Sequence, residues 1–243
     1  MRRPERLLEA GLALAALALP CVSYAQMTSC HVPERINAPR NGSTPRPDEV
    51  RRMAITGYTL ALSWTPQYCA RVDGYDMQCD KAIGRFGFVL HGLWPDGKTR
   101  DGRNGWPQFC APAAPVSRET IARNLCMMPS IRLMQHQWAK HGTCMARSPE
   151  DYYAHARKVY QSIRLPDMGW LAAQRRITAG KVAGVVARAN PGMTLDMIRV
   201  QASDYGLLNE LWICLDTAFK PAPCPAGKAG VSPNARIAIR TGY

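Results

Sequence analysis

Cys30, Cys69, Cys79, Cys110, Cys126, Cys144, Cys214 and Cys224 limit this chain more than any other set of residues. An even number of cysteines in an exported chain argues for disulfides, and such cross-links decide which distant segments meet before packing is considered. Eight cysteines can be joined in roughly a hundred ways, so the pairing itself stays open. Zinc is the competing use of cysteine. No CxxC pair occurs in the sequence, however, and zinc ribbons need ligands that close together.

The count is even because a ninth cysteine, Cys21, falls in a segment expected to be removed. Residues 1–25 open with Arg2, Arg3 and Arg6, continue through an apolar run from Ala10 to Pro20, and end at Ser23-Tyr24-Ala25. A basic start, a short apolar core and small residues at the −3 and −1 positions describe a secretory signal cleaved after Ala25. The run is shorter than the roughly 18 apolar residues a spanning helix needs, and no later run is long and apolar enough. Pro20 directly before Cys21 is a poor fit to a lipoprotein. The expectation is an exported protein, periplasmic or extracellular, with no membrane span.

The chain carries a formal net charge of +13, of which the signal removes one. So basic a protein attracts polyanions, whether RNA, DNA, anionic polysaccharide or lipid headgroups, and charge alone does not choose among them. Residues 26–56 are rich in Pro, Arg and Asn with little apolar patterning, and read as an exposed arm. Its arginines, Arg35, Arg40, Arg46, Arg51 and Arg52, are expected in a solvated tail. Residues 57–243 have the length of one domain with a full core, expected as a monomer with no obligate protein partner.

Within that domain Tyr58 to Trp64 alternates and is rich in strand formers, with Pro66 ending it. Phe86 to Leu90 reads as a second strand that delivers His91 at its far end. Residues 95–117 are dense in Gly and Pro and read as loop. Helices are predicted after Ser117, after Ser148-Pro149-Glu150-Asp151 and after Thr178, each with a hydroxyl cap. Asn190-Pro191-Gly192 closes the third. Strands are predicted again at Ile198 to Ala202, Leu211 to Leu215 and Arg236 to Ile239. Strands at both ends with helices between them predict an α+β fold, an antiparallel sheet core with packed helices, stapled by disulfides.

Two short segments concentrate the chemistry: Phe88-Val89-Leu90-His91-Gly92-Leu93-Trp94-Pro95-Asp96 and His136-Gln137-Trp138-Ala139-Lys140-His141-Gly142-Thr143-Cys144. If the second is helical, Gln137 and His141 share a face, and His136 and Lys140 share the neighbouring one. A zinc-protease HExxH needs histidines four apart with Glu second; here they are five apart, so no metal site and no cofactor is expected. Imidazole, amide and ammonium on adjacent faces suit an anion. RNA is an anion that two imidazoles cleave unaided: one takes the proton of the 2′-hydroxyl, which attacks the adjacent phosphorus, and the other gives a proton to the departing 5′-oxygen. A nearby cation offsets charge on the non-bridging oxygens. Of the remaining candidates, His155 reads as an ordinary helix histidine. Trp64, Trp106, Trp170 and Trp212 read as core or surface aromatics.

HGLWPD and HQWAKHGTC resemble the two active-site segments of the T2 family of ribonucleases. The likeness extends to Leu62-Ser63-Trp64 with Cys69 behind it, and to Leu211-Trp212-Ile213-Cys214 followed by Cys224-Pro225. The resemblance implies His141 as general base, His91 as general acid, Lys140 as stabiliser of the phosphorane and His136 as a phosphate ligand. It places a base-stacking aromatic at Trp94 and a base-bonding acid at Asp96. It implies 2′,3′-cyclic phosphate products that are then hydrolysed to 3′-phosphates, with single-stranded RNA as substrate. It also implies pairing of Cys110 with Cys144, Cys69 with Cys79 and Cys214 with Cys224, which leaves Cys30 for Cys126. One position departs: the family usually has Glu where this chain has Gln137. An amide donates a hydrogen bond to phosphate but neither takes a proton nor holds a cation by charge, so an altered rate or pH profile is expected. Three other readings compete. They are an inactive relative kept as a secreted basic RNA-binding protein, a secreted basic protein that sequesters nucleic acid or polysaccharide without cutting it, and a metal-dependent hydrolase such as a nuclease acting also on DNA.

Overall fold

The central strand explains most of the architecture. β2 (Ile55–Trp64) carries Leu60, Ala61 and Leu62 in succession, all fully buried, so both of its faces and both of its edges are covered. β4 (Phe88–Lys98) pairs antiparallel along one edge and β7 (Leu208–Leu215) along the other. With β5 (Asn104–Gly105) outside β4 and β6 (Ile198–Ala202) outside β7, the sheet order is β5-β4-β2-β7-β6, and every pairing is antiparallel. The computed structural model describes residues 27–242; the signal expected at 1–25 lies outside them. A second, two-stranded sheet pairs β1 (Met27–Cys30) with β3 (Gly84–Phe86). The α+β class is as expected.

Helices α3 (Ile131–Lys140), α4 (Pro149–Ser162) and α6 (Ala179–Ala189) pack on this sheet, α2 (Arg118–Asn124) packs on α4, the short α1 (Thr65–Cys69) touches β2 and β7, and a further short helix is α5 (Met168–Ala172). Ser117, Ser148 and Thr178 cap α2, α4 and α6 as their positions predict, each hydroxyl accepting a backbone N–H of the first turn. α4 buries Tyr152, Tyr153, Ala156, Val159 and Tyr160. Two of its hydroxyls act as substitutes for a missing strand. β5 covers only the last residues of β4, so the rest of that edge needs other partners. Tyr152 Oη accepts from Leu93 N at 3.3 Å and donates to Leu93 O at 3.1 Å, and Tyr160 Oη donates to Phe88 O at 2.8 Å.

Cys69–Cys79, Cys110–Cys144 and Cys214–Cys224 close as the resemblance implies, and Cys30–Cys126 is the pair left over.

Four expectations are corrected. The strand after Phe86 does not stop at His91 but runs to Lys98, because Pro95 sits where β4 has only one paired edge and its missing N–H is not needed. That extension and β5 take up part of the 95–117 stretch read as loop. Of the 26–56 stretch read as an exposed arm, 27–30 form β1, Ile55 opens β2, and 31–52 are largely exposed but tethered. Ile36 is buried in the core, Ser43 and Arg51 bridge to Ala113 and Gln108, and Arg52 donates to Cys110 O. Arg236 to Ile239 is not a strand. Its residues bridge singly to two different partners, Thr178 and Leu207, so no ladder propagates.

Candidate active site

β4 carries an irregularity at the residue that matters most. Ala61 pairs with Gly92 and Leu62 with Leu90, leaving His91 as the extra residue of a β-bulge. A bulge shifts the two-residue alternation by one. Leu90 and Leu93, three apart, therefore both point into the core and are fully buried, while His91, Trp94 and Asp96 turn to the opposite side.

α3 faces them from across a cleft. Ser130 caps its start, and His141 is its C-cap, with its backbone N–H donating to Gln137 O at 2.9 Å. Gly142 is required next: a Cβ there would lie 2.3 Å from Trp138 Cε3 and 2.9 Å from Tyr152 Cγ. The loop before α2 is laced to the same end of α3. Phe109 N donates to Lys140 O, Cys110 N donates to Thr143 Oγ1, and Cys110–Cys144 closes the contact.

The cleft has a volume of about 700 Å3, and all seven predicted site residues, His91, Trp94, Asp96, His136, Gln137, Lys140 and His141, line it. Trp94 is its hub. Its ring stacks on His141 with centroids 5.6 Å apart, meets His91 edge-on at 5.0 Å and Trp212 edge-on at 5.4 Å. Its indole Nε1 donates to Gln137 Oε1 at 2.8 Å. Gln137 is therefore buried with its oxygen committed. Gly92 lies directly beneath this bond, where any Cβ would strike both partners.

The electrostatics of the two catalytic candidates differ in kind. His141 is buried, and its Nδ1 has no hydrogen-bond partner among the described residues. Burial, reinforced by the cations Lys140, His136, His91 and Arg51, pushes it down to about 2. Partial burial, with Lys140, His91 and Arg132 nearby, lowers His136 too. His91 instead meets a carboxylate: its Nδ1 lies 2.7 Å from Glu210 Oε1 on β7. Glu210 Oε1 also accepts from Ser63 Oγ at 2.9 Å, and its Oε2 accepts from Trp212 Nε1 at 2.6 Å. Burial alone would raise this carboxyl, but the bond and charge of His91, with the bonds from Trp212 and Ser63, bring it below the usual carboxylate range.

Asp96 is engaged as well. Thr59 Oγ1 donates to one of its oxygens and Lys228 Nζ to the other, both at 2.6 Å, so it meets the cleft as half of an ion pair and not as a free acid. Among the described residues no group of three or more His, Cys, Asp or Glu side chains is placed to hold a metal ion.

Glu210, Trp212 and Lys228 were not legible as site residues. Trp212, read as a structural aromatic, lines the cleft against Trp94, and Trp106 lines its far end beneath the Arg51 guanidinium. The signal that would have found Glu210 and Trp212 is the alternation of β7. They stand two apart on the face opposite the buried Leu211 and Ile213.

The sequence profile of the ribonuclease T2 family matches residues 55–224, which span both histidine segments and β7. The chain belongs to the ribonuclease T2 family. A ribonuclease of Aeromonas hydrophila is 33% identical over 168 residues, 65% of this chain and 71% of that one. A probable ribonuclease of Haemophilus influenzae is 29% identical over 176 residues, 69% of this chain but only 60% of its own length. An RNase-related protein from Calystegia sepium shares this fold with a TM-score of 0.61 at 20% identity, covering 77% of this chain and 98% of that structure.

Proposed function

We propose that this T2-family chain is an endoribonuclease that cuts single-stranded RNA through its 2′-hydroxyl with two histidines and no metal. A phosphodiester sits in the cleft between β4 and α3, drawn by Lys140, His136 and the protein's net positive charge. Neutral His141 takes the proton of the 2′-hydroxyl as that oxygen bonds to phosphorus. His91 as imidazolium protonates the 5′-oxygen as its bond to phosphorus breaks. The products are a 2′,3′-cyclic phosphate and a 5′-hydroxyl. In a second step the roles reverse: water adds to the cyclic phosphate and leaves a 3′-phosphate.

The single observation that carries this reading is that both histidines contact one ring, Trp94, in one cleft, with Lys140 beside them. Their opposite surroundings support the division of labour. Burial, with the neighbouring cations second, keeps His141 unprotonated, as a base must start. Gln137 orients Trp94 through its oxygen, leaving its amide N–H groups as donors to phosphate. Four disulfides suit an oxidising compartment, and among the described residues no helix is long and apolar enough to cross a membrane.

The test is incubation of the purified protein with RNA and with DNA, with and without EDTA, followed by identification of the product ends. Cleavage of RNA alone, unaffected by EDTA, with cyclic and then 3′-phosphate ends that are absent in His91→Ala and His141→Ala, is expected. Cleavage of DNA, or loss of activity in EDTA, overturns the two-histidine reading. RNA that is retained but intact identifies a binding protein instead.

A further inference from the structure

The contacts of Glu210 form a row across three strands. Glu210 on β7 pairs directly with Ser63 on β2, and Ser63 pairs with Val89 on β4, two residues before the bulge that turns His91. The bulge thus brings the His91 ring over this row, and Glu210 is the only carboxylate in hydrogen-bond reach of a cleft histidine among the described residues. The other charged groups near His91 are His136, Lys140 and His141 from α3, and the Asp96–Lys228 pair on the same cleft wall.

We infer that Glu210 is the positioning residue of the general acid: its carboxylate holds the Nδ1–H of His91, so that Nε2 carries the transferable proton toward the leaving 5′-oxygen. This deepens the ribonuclease reading and rests on it. The carboxylate calls for a proton on His91 Nδ1 because each of its other neighbours is already a donor. Trp212 Nε1 can only donate, and it occupies Oε2. Ser63 donates to Oε1, beside His91 Nδ1. An ionised carboxylate accepts from all three together. No requirement of the fold alone demands a carboxylate here, since a cross-strand pair with Ser63 is made equally well by an uncharged polar side chain.

Glu210→Gln is the informative change because the amide cannot serve both sides. If its oxygen stays with the indole, its NH2 faces His91 and needs a lone pair at Nδ1, which the imidazolium lacks. If it turns over, NH2 meets the indole N–H. The acid form loses its support either way while shape is kept.

The experiment compares wild type, Glu210→Gln and His91→Ala on two substrates in the same preparation. One is a ribodinucleoside monophosphate, whose 5′-oxygen needs a proton to leave. The other is the 4-nitrophenyl ester of the same nucleoside 3′-phosphate, whose phenolate leaves without one. The ratio of the two rates is independent of how much protein is folded. Loss of one hydrogen bond to a charged group corresponds to about 10- to 100-fold. Glu210→Gln is expected to lower kcat on the dinucleotide by that factor, with KM changed less than about twofold and the activated ester slowed less than about threefold. Equal losses on both substrates, a change confined to KM, or no loss overturns the inference, provided His91→Ala shows the leaving-group selectivity. If His91→Ala is itself unselective, it is the assignment of His91 as the acid that fails.

Discussion

Gly92→Ala puts the hub of the cleft to a quantitative test. A Cβ at residue 92 would stand 2.2 Å from Gln137 Oε1, 2.3 Å from Trp94 Nε1 and 2.9 Å from Gln137 Cδ, all well inside contact distance. Neither neighbour has room to retreat: Gln137 is 2% exposed, and the Trp94 ring lies against His91, His141 and Trp212. The 2.8 Å bond between them must open or the ring must move. Overpacking of this kind costs about 1–3 kcal/mol, and a buried amide oxygen deprived of its donor about 1–3 kcal/mol more. Allowing for partial relaxation, a loss of about 2–4 kcal/mol is expected. At about 2–4 °C per kcal/mol for a domain of this size, the fall in Tm is on the order of 4–16 °C. Thermal unfolding followed by near-ultraviolet circular dichroism measures it directly. Because both histidines rest on the displaced ring, kcat/KM on an RNA oligonucleotide should drop at least about tenfold. Gly184→Ala on α6, where the new Cβ meets its neighbours at ordinary contact distances from 3.5 Å, is the control and should be neutral or slightly stabilising. A Gly92→Ala protein with unchanged Tm and full activity would refute the assignment of Trp94 and Gln137 as a tightly packed unit.

Three further outcomes follow from the same geometry. The unfolded chain protonates His141 near its ordinary value of 6.5, whereas the folded chain resists doing so until about 2. The unfolded state therefore takes up the proton first as pH falls, and stability declines below about pH 6.5 by up to about 1.4 kcal/mol per unit. Urea unfolding between pH 5 and 7 should show this slope in wild type and a shallower one in His141→Asn. Gln137→Glu introduces a negative charge one helical turn from His141, which favours its imidazolium. The acid limb of the kcat/KM pH profile should move to higher pH, and superimposable profiles would show that the position is electrostatically silent. Removing Cys30–Cys126, which spans 96 residues, should cost about 4–5 kcal/mol, against about 3 kcal/mol for Cys69–Cys79, which spans 10; equilibrium unfolding of the two double-serine variants compares them.

What the sequence made legible was dense and local. Each histidine segment packs imidazole, glycine and tryptophan into a few residues, and three hydroxyl caps announce their helices. The bulge at His91 was hidden because Leu90-His91-Gly92-Leu93 reads equally well as the end of one strand or the middle of another. Only pairing against Ala61 and Leu62 decides it. Glu210 was hidden for a different reason: the alternation of β7 reports which face it stands on, but its partner imidazole is 119 positions away in sequence and reached across an intervening strand. Lys228 comes from an irregular stretch with no periodicity to read. The basic segment before β2 misled through composition. A stretch with so few apolar residues looks free in solution, yet one buried isoleucine, two backbone bridges and a few arginine bonds are enough to moor it.

The connectivity of the sulfur bridges sets a problem for the reduced chain. Cys69–Cys79 and Cys214–Cys224 each join neighbours in sequence, but Cys30–Cys126 and Cys110–Cys144 interleave, each bond having one end inside the loop closed by the other. An oxidant that acts as thiols emerge from synthesis would first join Cys30 to Cys69, trapping both in the wrong company. On that order of oxidation, maturation passes through thiolate attack on mispaired bridges, and its yield should follow the supply of an isomerase more closely than the supply of oxidant.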